Sequence, residues 1–121
     1  MKKSVFRINK TFTFDAAHCL NLGNLHKCSR LHGHTYRVDV VCRAARLDEN
    51  GMVTDFGDFG DVKHFINEYL DHRNLNEILA TPTTAEHLAK YIFEWILERH
   101  KNLELVRVWE TPTNWAEYSK C

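Results

Sequence analysis

Val5-Phe6-Arg7-Ile8-Asn9-Lys10-Thr11-Phe12-Thr13-Phe14-Asp15-Ala16-Ala17-His18 is the stretch on which the fold turns. Phe6, Ile8, Phe12, Phe14 and Ala16 alternate with Arg7, Asn9, Thr11, Thr13 and Asp15, and this period of two predicts a half-buried strand over Val5–Ala17 with one wet face. His18 has the parity of the phenylalanines, so its imidazole emerges on their face at the strand end. A second alternation runs from His34 to Leu47, with Tyr36, Val38, Val40 and Cys42 set against Thr35, Arg37, Asp39, Val41 and Arg43. If the two runs pair as antiparallel neighbours, the chain leaves the first at His18 and enters the second at His32.

The remaining elements follow in order. Asp48-Glu49-Asn50-Gly51 is a turn signal, and Met52–Phe56 reads as a short extended return. A helix opens at Gly57-Asp58, with Asp58 as N-cap, Asp61 in the first turn and Val62, Phe65, Ile66, Tyr69 and Leu70 on one face. Asp71–Asn76 is a polar exit loop. A second helix starts after Pro82, where Thr83 and Glu86 have capping-box spacing and Leu88, Ile92, Trp95 and Ile96 recur at helical intervals. Leu103–Glu110 and Trp115–Tyr118 are two short strands joined across Thr111–Asn114. The order ββααββ predicts one α+β domain over residues 1–121, a four-stranded antiparallel sheet with both helices on its apolar face. Such a small open sheet leaves unpaired backbone at both edges, and pairing with other copies of the chain would cover it.

Composition narrows the partners. The 121 residues carry 16 basic and 16 acidic side chains, with a pI near 7.1, and the basic residues gather into no stripe, so nucleic acid is not expected as a partner. There is no apolar run near membrane-spanning length and no signal-peptide core after Met1-Lys2-Lys3-Ser4. The expectation is a cytoplasmic protein away from the membrane. Cys19, Cys28, Cys42 and Cys121 show no CxxC spacing and read as free thiols in a reducing compartment.

The chemistry gathers around Leu25-His26-Lys27-Cys28-Ser29-Arg30-Leu31-His32-Gly33-His34-Thr35-Tyr36. On a strand, His32 and His34 face the same way with Cα atoms roughly 7 Å apart, a chelating arrangement, and His18 would join them at the rim. Three imidazoles with a fourth position free describe a catalytic Zn2+ site. Cys28 hangs over that rim on a loop of about 13 residues, a length usually tied to function. It could act as base or nucleophile, close the zinc site as fourth ligand, or be an inert loop thiol; Lys27 and Arg30 favour the thiolate. Asp71-His72 could be a carboxylate-oriented acid–base pair or a simple helix-end turn. Glu110 could anchor a ligand or merely end a strand.

Six motifs occur together in order: Phe14-Asp15-Ala16-Ala17-His18, Cys28-Ser29-Arg30-Leu31-His32-Gly33-His34, Gly51-Met52-Val53-Thr54-Asp55-Phe56, Leu70-Asp71-His72-Arg73-Asn74-Leu75-Asn76, Pro82-Thr83-Thr84-Ala85-Glu86 and Val108-Trp109-Glu110-Thr111. With them the chain resembles the 6-pyruvoyl-tetrahydropterin synthase family over nearly its whole length. The Cys-x-x-x-His-x-His spacing is similar to that of the 6-carboxy-tetrahydropterin synthases of queuosine biosynthesis; pyruvoyl-forming members usually have more residues before the first His. The resemblance implies that His18, His32 and His34 bind zinc, Cys28 is the base, and Asp71 with His72 completes a proton relay. It further implies that Glu110 holds the pterin, with Thr84 and Glu86 near the pocket, although Ala85 departs from the two threonines of animal relatives. The implied fold is the tunnelling fold, trimers closing their sheets into a barrel and stacking as a homohexamer with sites between subunits. The implied reaction converts 7,8-dihydroneopterin triphosphate to 6-carboxy-5,6,7,8-tetrahydropterin, acetaldehyde and triphosphate. A pyruvoyl-forming enzyme and a non-catalytic, zinc-stabilised binding module are the alternatives.

Overall fold

In the computed structural model, which describes residues 2–121, β1 (Phe6–His18) and β2 (His32–Ala44) pair antiparallel in unbroken register. Phe6 lies opposite Ala44 at one end and His18 opposite His32 at the other. The alternation read from the sequence is realised: Phe14, Ala16, Tyr36, Val38, Val40 and Cys42 are buried, while Arg7, Thr13, Asp15 and Arg37 are exposed on the other face. Each fully buried Val or Phe side chain contributes on the order of 1.5–3 kcal/mol. Slipping this register by one residue would turn the whole apolar set to water, so the core also fixes the rim where the histidines meet.

β2 is flanked by a hairpin made of β4 (Leu103–Thr111) and β5 (Asn114–Ser119). The sheet has a fifth member, β3 (Arg73–Asn74), which pairs parallel with Ala16–Ala17 of β1. The strand order is therefore β3-β1-β2-β4-β5, a five-stranded mixed sheet, which corrects the four-stranded antiparallel expectation. A two-residue strand has no periodicity to read. It exists because the exit loop docks on β1, the His72 amide donating to the Asp15 carbonyl at 2.6 Å.

Helices α1 (Gly60–Tyr69) and α2 (Ala85–Leu97) pack with the sheet's apolar face into one core. Val62, Phe65 and Ile66 face inward from α1; Leu88, Ile92, Phe93 and Ile96 do so from α2. Phe65 stacks on Trp95 with ring centroids 4.1 Å apart, tying the helices together.

Both helix starts differ from expectation. Phe56–Phe59 forms a 3₁₀ turn capped by Asp55, whose carboxylate accepts from the Gly57 amide at 2.8 Å, and α1 begins at Gly60 without the Asp58 cap. Met52–Asp55 forms no strand. At α2 the cap is Thr84, whose hydroxyl accepts from the His87 amide at 3.2 Å, and not Thr83. The tandem threonines offer two registers, and burial of Thr83 against β1 selects the second. Among the described residues no helix is long and apolar enough to cross a membrane.

Candidate active site

The β1–β2 register brings three imidazoles to one rim. His18 stands opposite His32, and His34 opposite Ala16, all on the core face. Ring centroids lie 4.6 Å apart for His18–His32, 5.1 Å for His18–His34 and 4.9 Å for His32–His34. One nitrogen from each falls within 4.8 Å of the others.

Backbone carbonyls orient two of the rings. His18 Nδ1 is 2.8 Å from the Thr83 carbonyl, and His32 Nδ1 is 2.8 Å from the Arg30 carbonyl. A carbonyl only accepts, so each Nδ1 carries the proton and each Nε2 keeps its lone pair. His18 is 1% exposed and its Nε2 is buried with no hydrogen-bond partner. Such an orphan costs about 1–3 kcal/mol unless something accepts its lone pair. Burial lowers the His34 pKa; Glu110 opposes that shift, while His18 and His32 reinforce it. The ring therefore favours its neutral, ligating form. Three imidazoles, two held by carbonyl acceptors behind them, fit Zn2+ with one coordination position open.

Cys28 and Glu110 share a cavity of about 490 Å³ with the trio, Lys27 and Asn114. Cys28 sits in a one-turn 3₁₀ segment, Lys27–Ser29. Its amide donates to His26 Nδ1 at 3.1 Å, and its carbonyl accepts from the Leu20 amide at 2.7 Å, so the long loop is pinned over the rim. The Cys28 sulfur is not among the atoms clustered within 4.8 Å, which favours an open three-histidine site over a closed tetrahedron. Glu110, near the end of β4, places Oε2 3.7 Å from His18 Nε2 and 3.8 Å from His34 Nε2. Behind the histidines, Tyr36 is fully buried and its hydroxyl has no partner. Burial, aided by the Glu110 charge, pushes the Tyr36 phenol far up, so it stays protonated.

Asp71 and His72 form the expected pair, with Asp71 Oδ2 2.8 Å from His72 Nδ1. Asp71 Oδ1 also accepts from the Asp15 amide at 2.9 Å. That amide and the His72 hydrogen bond hold the Asp71 carboxyl below its ordinary range, and the Asp71 hydrogen bond and charge raise the His72 pKa. His72 has φ 59°, a left-handed conformation uncommon for a residue other than glycine. His72 opens onto a separate cleft of about 500 Å³ with Asp15, Gly33, Thr35 and Arg73. Asp15, Gly33 and Thr35 have the parity of the wet face, and His34 alone lines both clefts. Within one chain, then, His72 and Cys28 line different clefts.

Thr84 and Glu86 are not brought to the histidine cavity. Thr84 caps α2 and borders another cleft beside Cys19, Asn76 and Pro82; Glu86 is exposed in the first turn of α2. Sequence reasoning missed Thr83, which receives the His18 proton through its carbonyl, and Asn76, whose side chain bridges the Cys19 amide and carbonyl at 2.8 and 3.0 Å. A carbonyl acceptor is independent of residue type, so no sequence signal marks Thr83. Asn76 had one weak signal, its place in the motif beginning at Leu70.

Residues 7–121 match the family described as 6-pyruvoyl tetrahydropterin synthase. A 6-carboxy-5,6,7,8-tetrahydropterin synthase from Haemophilus influenzae is 34% identical over 96% of this chain and 100% of its own length. A 6-pyruvoyl tetrahydrobiopterin synthase from Drosophila melanogaster is 34% identical over 88% of this chain and 74% of its own. The Caenorhabditis elegans 6-pyruvoyl tetrahydropterin synthase structure superposes with a TM-score of 0.85, at 27% identity, covering 100% of this chain and 99% of that one. With the family matched nearly end to end and relatives above 30% identity spanning most of the sequence, this protein belongs to the 6-pyruvoyl tetrahydropterin synthase family.

Proposed function

We propose that this protein is a zinc-dependent 6-carboxy-5,6,7,8-tetrahydropterin synthase. As a carbon–carbon lyase it converts 7,8-dihydroneopterin triphosphate and water to 6-carboxytetrahydropterin, acetaldehyde and triphosphate, in the cytoplasm, for queuosine (7-deazaguanine) synthesis. The observation that carries the reading is the meeting of His18, His32 and His34 with Cys28 and Glu110 in one cavity. Cys28 precedes His32 by only three intervening residues, the spacing of the carboxy-forming branch, and relatives bearing that name span the chain.

Each residue has a chemical task. When bound by the three imidazoles, Zn2+ supplies Lewis-acid chemistry, acidifying hydroxyls on the substrate side chain and polarising carbonyls formed from them. Cys28, as thiolate beside Lys27, removes the proton from the side-chain carbon next to the ring. The Glu110 carboxylate pairs with the 2-amino and N3–H donors of the pterin and fixes which carbon faces the thiolate. Asp71 holds His72 as an oriented proton carrier. Because His72 lines a different cleft from Cys28, the pair serves the site of a neighbouring subunit.

That arrangement requires an assembly, and the sheet edges support one. β3 covers only Ala16–Ala17 of β1, which leaves the rest of that edge and the outer edge of β5 free to pair with other copies. A homohexamer of two barrel-forming trimers should scatter light with a mass near six times 14.2 kDa. A monomer that still turns over substrate would refute the shared sites.

The reaction is tested by incubating the zinc-loaded protein with 7,8-dihydroneopterin triphosphate. Acetaldehyde should appear in step with triphosphate, alongside the mass of 6-carboxytetrahydropterin. A product that keeps its three-carbon side chain, with no acetaldehyde, would move the protein to the pyruvoyl-forming branch represented by the Drosophila relative. Stoichiometric zinc with no turnover would leave the binding-module reading.

A further inference from the structure

We propose that Asp15 is a positioning residue for the Asp71–His72 pair: its carboxylate, fixed by Thr35, stands beside the imidazole as a second anion and makes His72 a proton donor. The donor role rests on the function proposed above; the bracketing of His72 by two carboxylates does not.

Asp15 meets the pair at three points. Its amide donates to Asp71 Oδ1 at 2.9 Å, and its carbonyl accepts from the His72 amide at 2.6 Å. His72 adopts φ 59°, which a residue other than glycine keeps only where its surroundings hold it, and the Asp15 carbonyl supplies that hold. Those two bonds use backbone atoms that any residue but proline would offer. The third contact belongs to the side chain. One carboxylate oxygen of Asp15, one of Asp71 and one ring nitrogen of His72 all lie within 4.8 Å of one another. Thr35, opposite Asp15 in the β1–β2 ladder, fixes that carboxylate by donating its hydroxyl to Oδ1 at 2.5 Å.

Two carboxylates this close repel each other unless a positive charge stands with them. Arg73, the neighbouring cation, has its guanidinium engaged by the Glu68 carbonyl at 2.9 Å, and His34 of β2 borders the cleft as a member of the metal trio. His72 is therefore the group placed to carry that charge. Its hydrogen bond to Asp71 and the Asp71 charge raise its pKa, and the Asp15 charge adds to them. Nδ1 faces Asp71 at 2.8 Å, which leaves Nε2–H for transfer. In the proposed reaction Cys28 takes a proton from the side chain, and the ring, reduced in the same reaction, must gain one. The Nε2–H bond breaks as the new bond to the ring forms, both carboxylates keep their charge, and solvent returns a proton to the neutral imidazole.

The test pairs two kinds of variant. Asp15→Asn keeps the size of the side chain and an oxygen for the Thr35 hydroxyl but removes the charge. Thr35→Val removes the donor at nearly constant shape, and Thr35→Ser restores it. In NMR of labelled histidine, on zinc-loaded protein without substrate, the His72 titration midpoint should fall in Asp15→Asn. With 7,8-dihydroneopterin triphosphate, kcat should drop roughly 10-fold in Asp15→Asn and Thr35→Val at unchanged KM, less than the cost of losing an acid–base group outright. Thr35→Ser should return kcat to within about 2-fold of wild type. The high-pH limb of the kcat profile should move to lower pH in Asp15→Asn, because a donor must hold its proton and His72 would lose it sooner. A merely structural Asp15 would lower the unfolding midpoint and move neither the His72 titration nor that limb. A His72 midpoint in Asp15→Asn equal to the wild-type value, or a Thr35→Val loss that Thr35→Ser does not rescue, would overturn the inference and leave the proposed function standing. Should Asp15→Asn fail to fold, the Thr35 pair decides by the same kcat and KM criterion. A zinc-loaded wild type that never turns over the substrate would overturn the functional reading and the donor role, even with the His72 midpoint falling as expected.

Discussion

Removing a polar group beside the candidate active site should stabilise this protein. The Tyr36 hydroxyl is fully buried and unpartnered, whereas in the unfolded chain it is hydrated. Leaving such a group unsatisfied costs about 1–3 kcal/mol. Tyr36→Phe deletes that cost and keeps the ring stacked on Phe14, whose centroid is 5.0 Å away at an interplanar angle of 14°. The atom removed is one oxygen, so the cavity left is small, and a net gain of about 1–2 kcal/mol is expected. With a urea m-value of about 1.5 kcal/mol/M, the midpoint should rise by roughly 1 M. The assay is urea unfolding of both proteins at equal protein and zinc concentrations, since assembly and metal each shift apparent stability. Zinc content should not change, because Tyr36 is not one of the clustered ligands. An unchanged or lower midpoint would mean that the hydroxyl has a partner and that the account of the site's floor is wrong.

Cys28→Ala should keep nearly stoichiometric zinc by elemental analysis while abolishing turnover, whereas His32→Ala should lose most of the metal; equal losses would favour a closed four-ligand module. The His72 imidazole should titrate above the ordinary histidine value of about 6.5 by NMR and fall back toward it in Asp71→Asn. A raised folded-state value stabilises the native chain below the unfolded pKa, and that contribution is lost as pH rises through the folded one. Thr84→Ala should cost about 0.5–2 kcal/mol of stability through the lost α2 cap, and a change in KM without that loss would instead put Thr84 in the substrate pocket.

Much of the site could be read from the sequence because strand geometry has a fixed period. Once β1 and β2 alternate, His18, His32 and His34 must share the face of Phe14 and Tyr36, whatever the rest of the chain does. The helix faces were legible for the same reason, Phe65 and Ile92 recurring at helical intervals. Helix starts were less so, since Asp55 and Asp58, or Thr83 and Thr84, are chemically equivalent caps, and only packing chooses between them. Three features needed the tertiary structure. β3 is set by a docking contact to Asp15 and has no pattern of its own. The Thr83 carbonyl holds His18 through an atom that every residue possesses. The resemblance implied sites between subunits without saying which groups one chain separates, and only the packing shows His72 in a cleft with Asp15 and Thr35, apart from the cavity that holds Cys28. Periodicity is local and travels with the residues; which face, which neighbour and which carbonyl meet is decided by long-range packing, where one side chain's position depends on all the others.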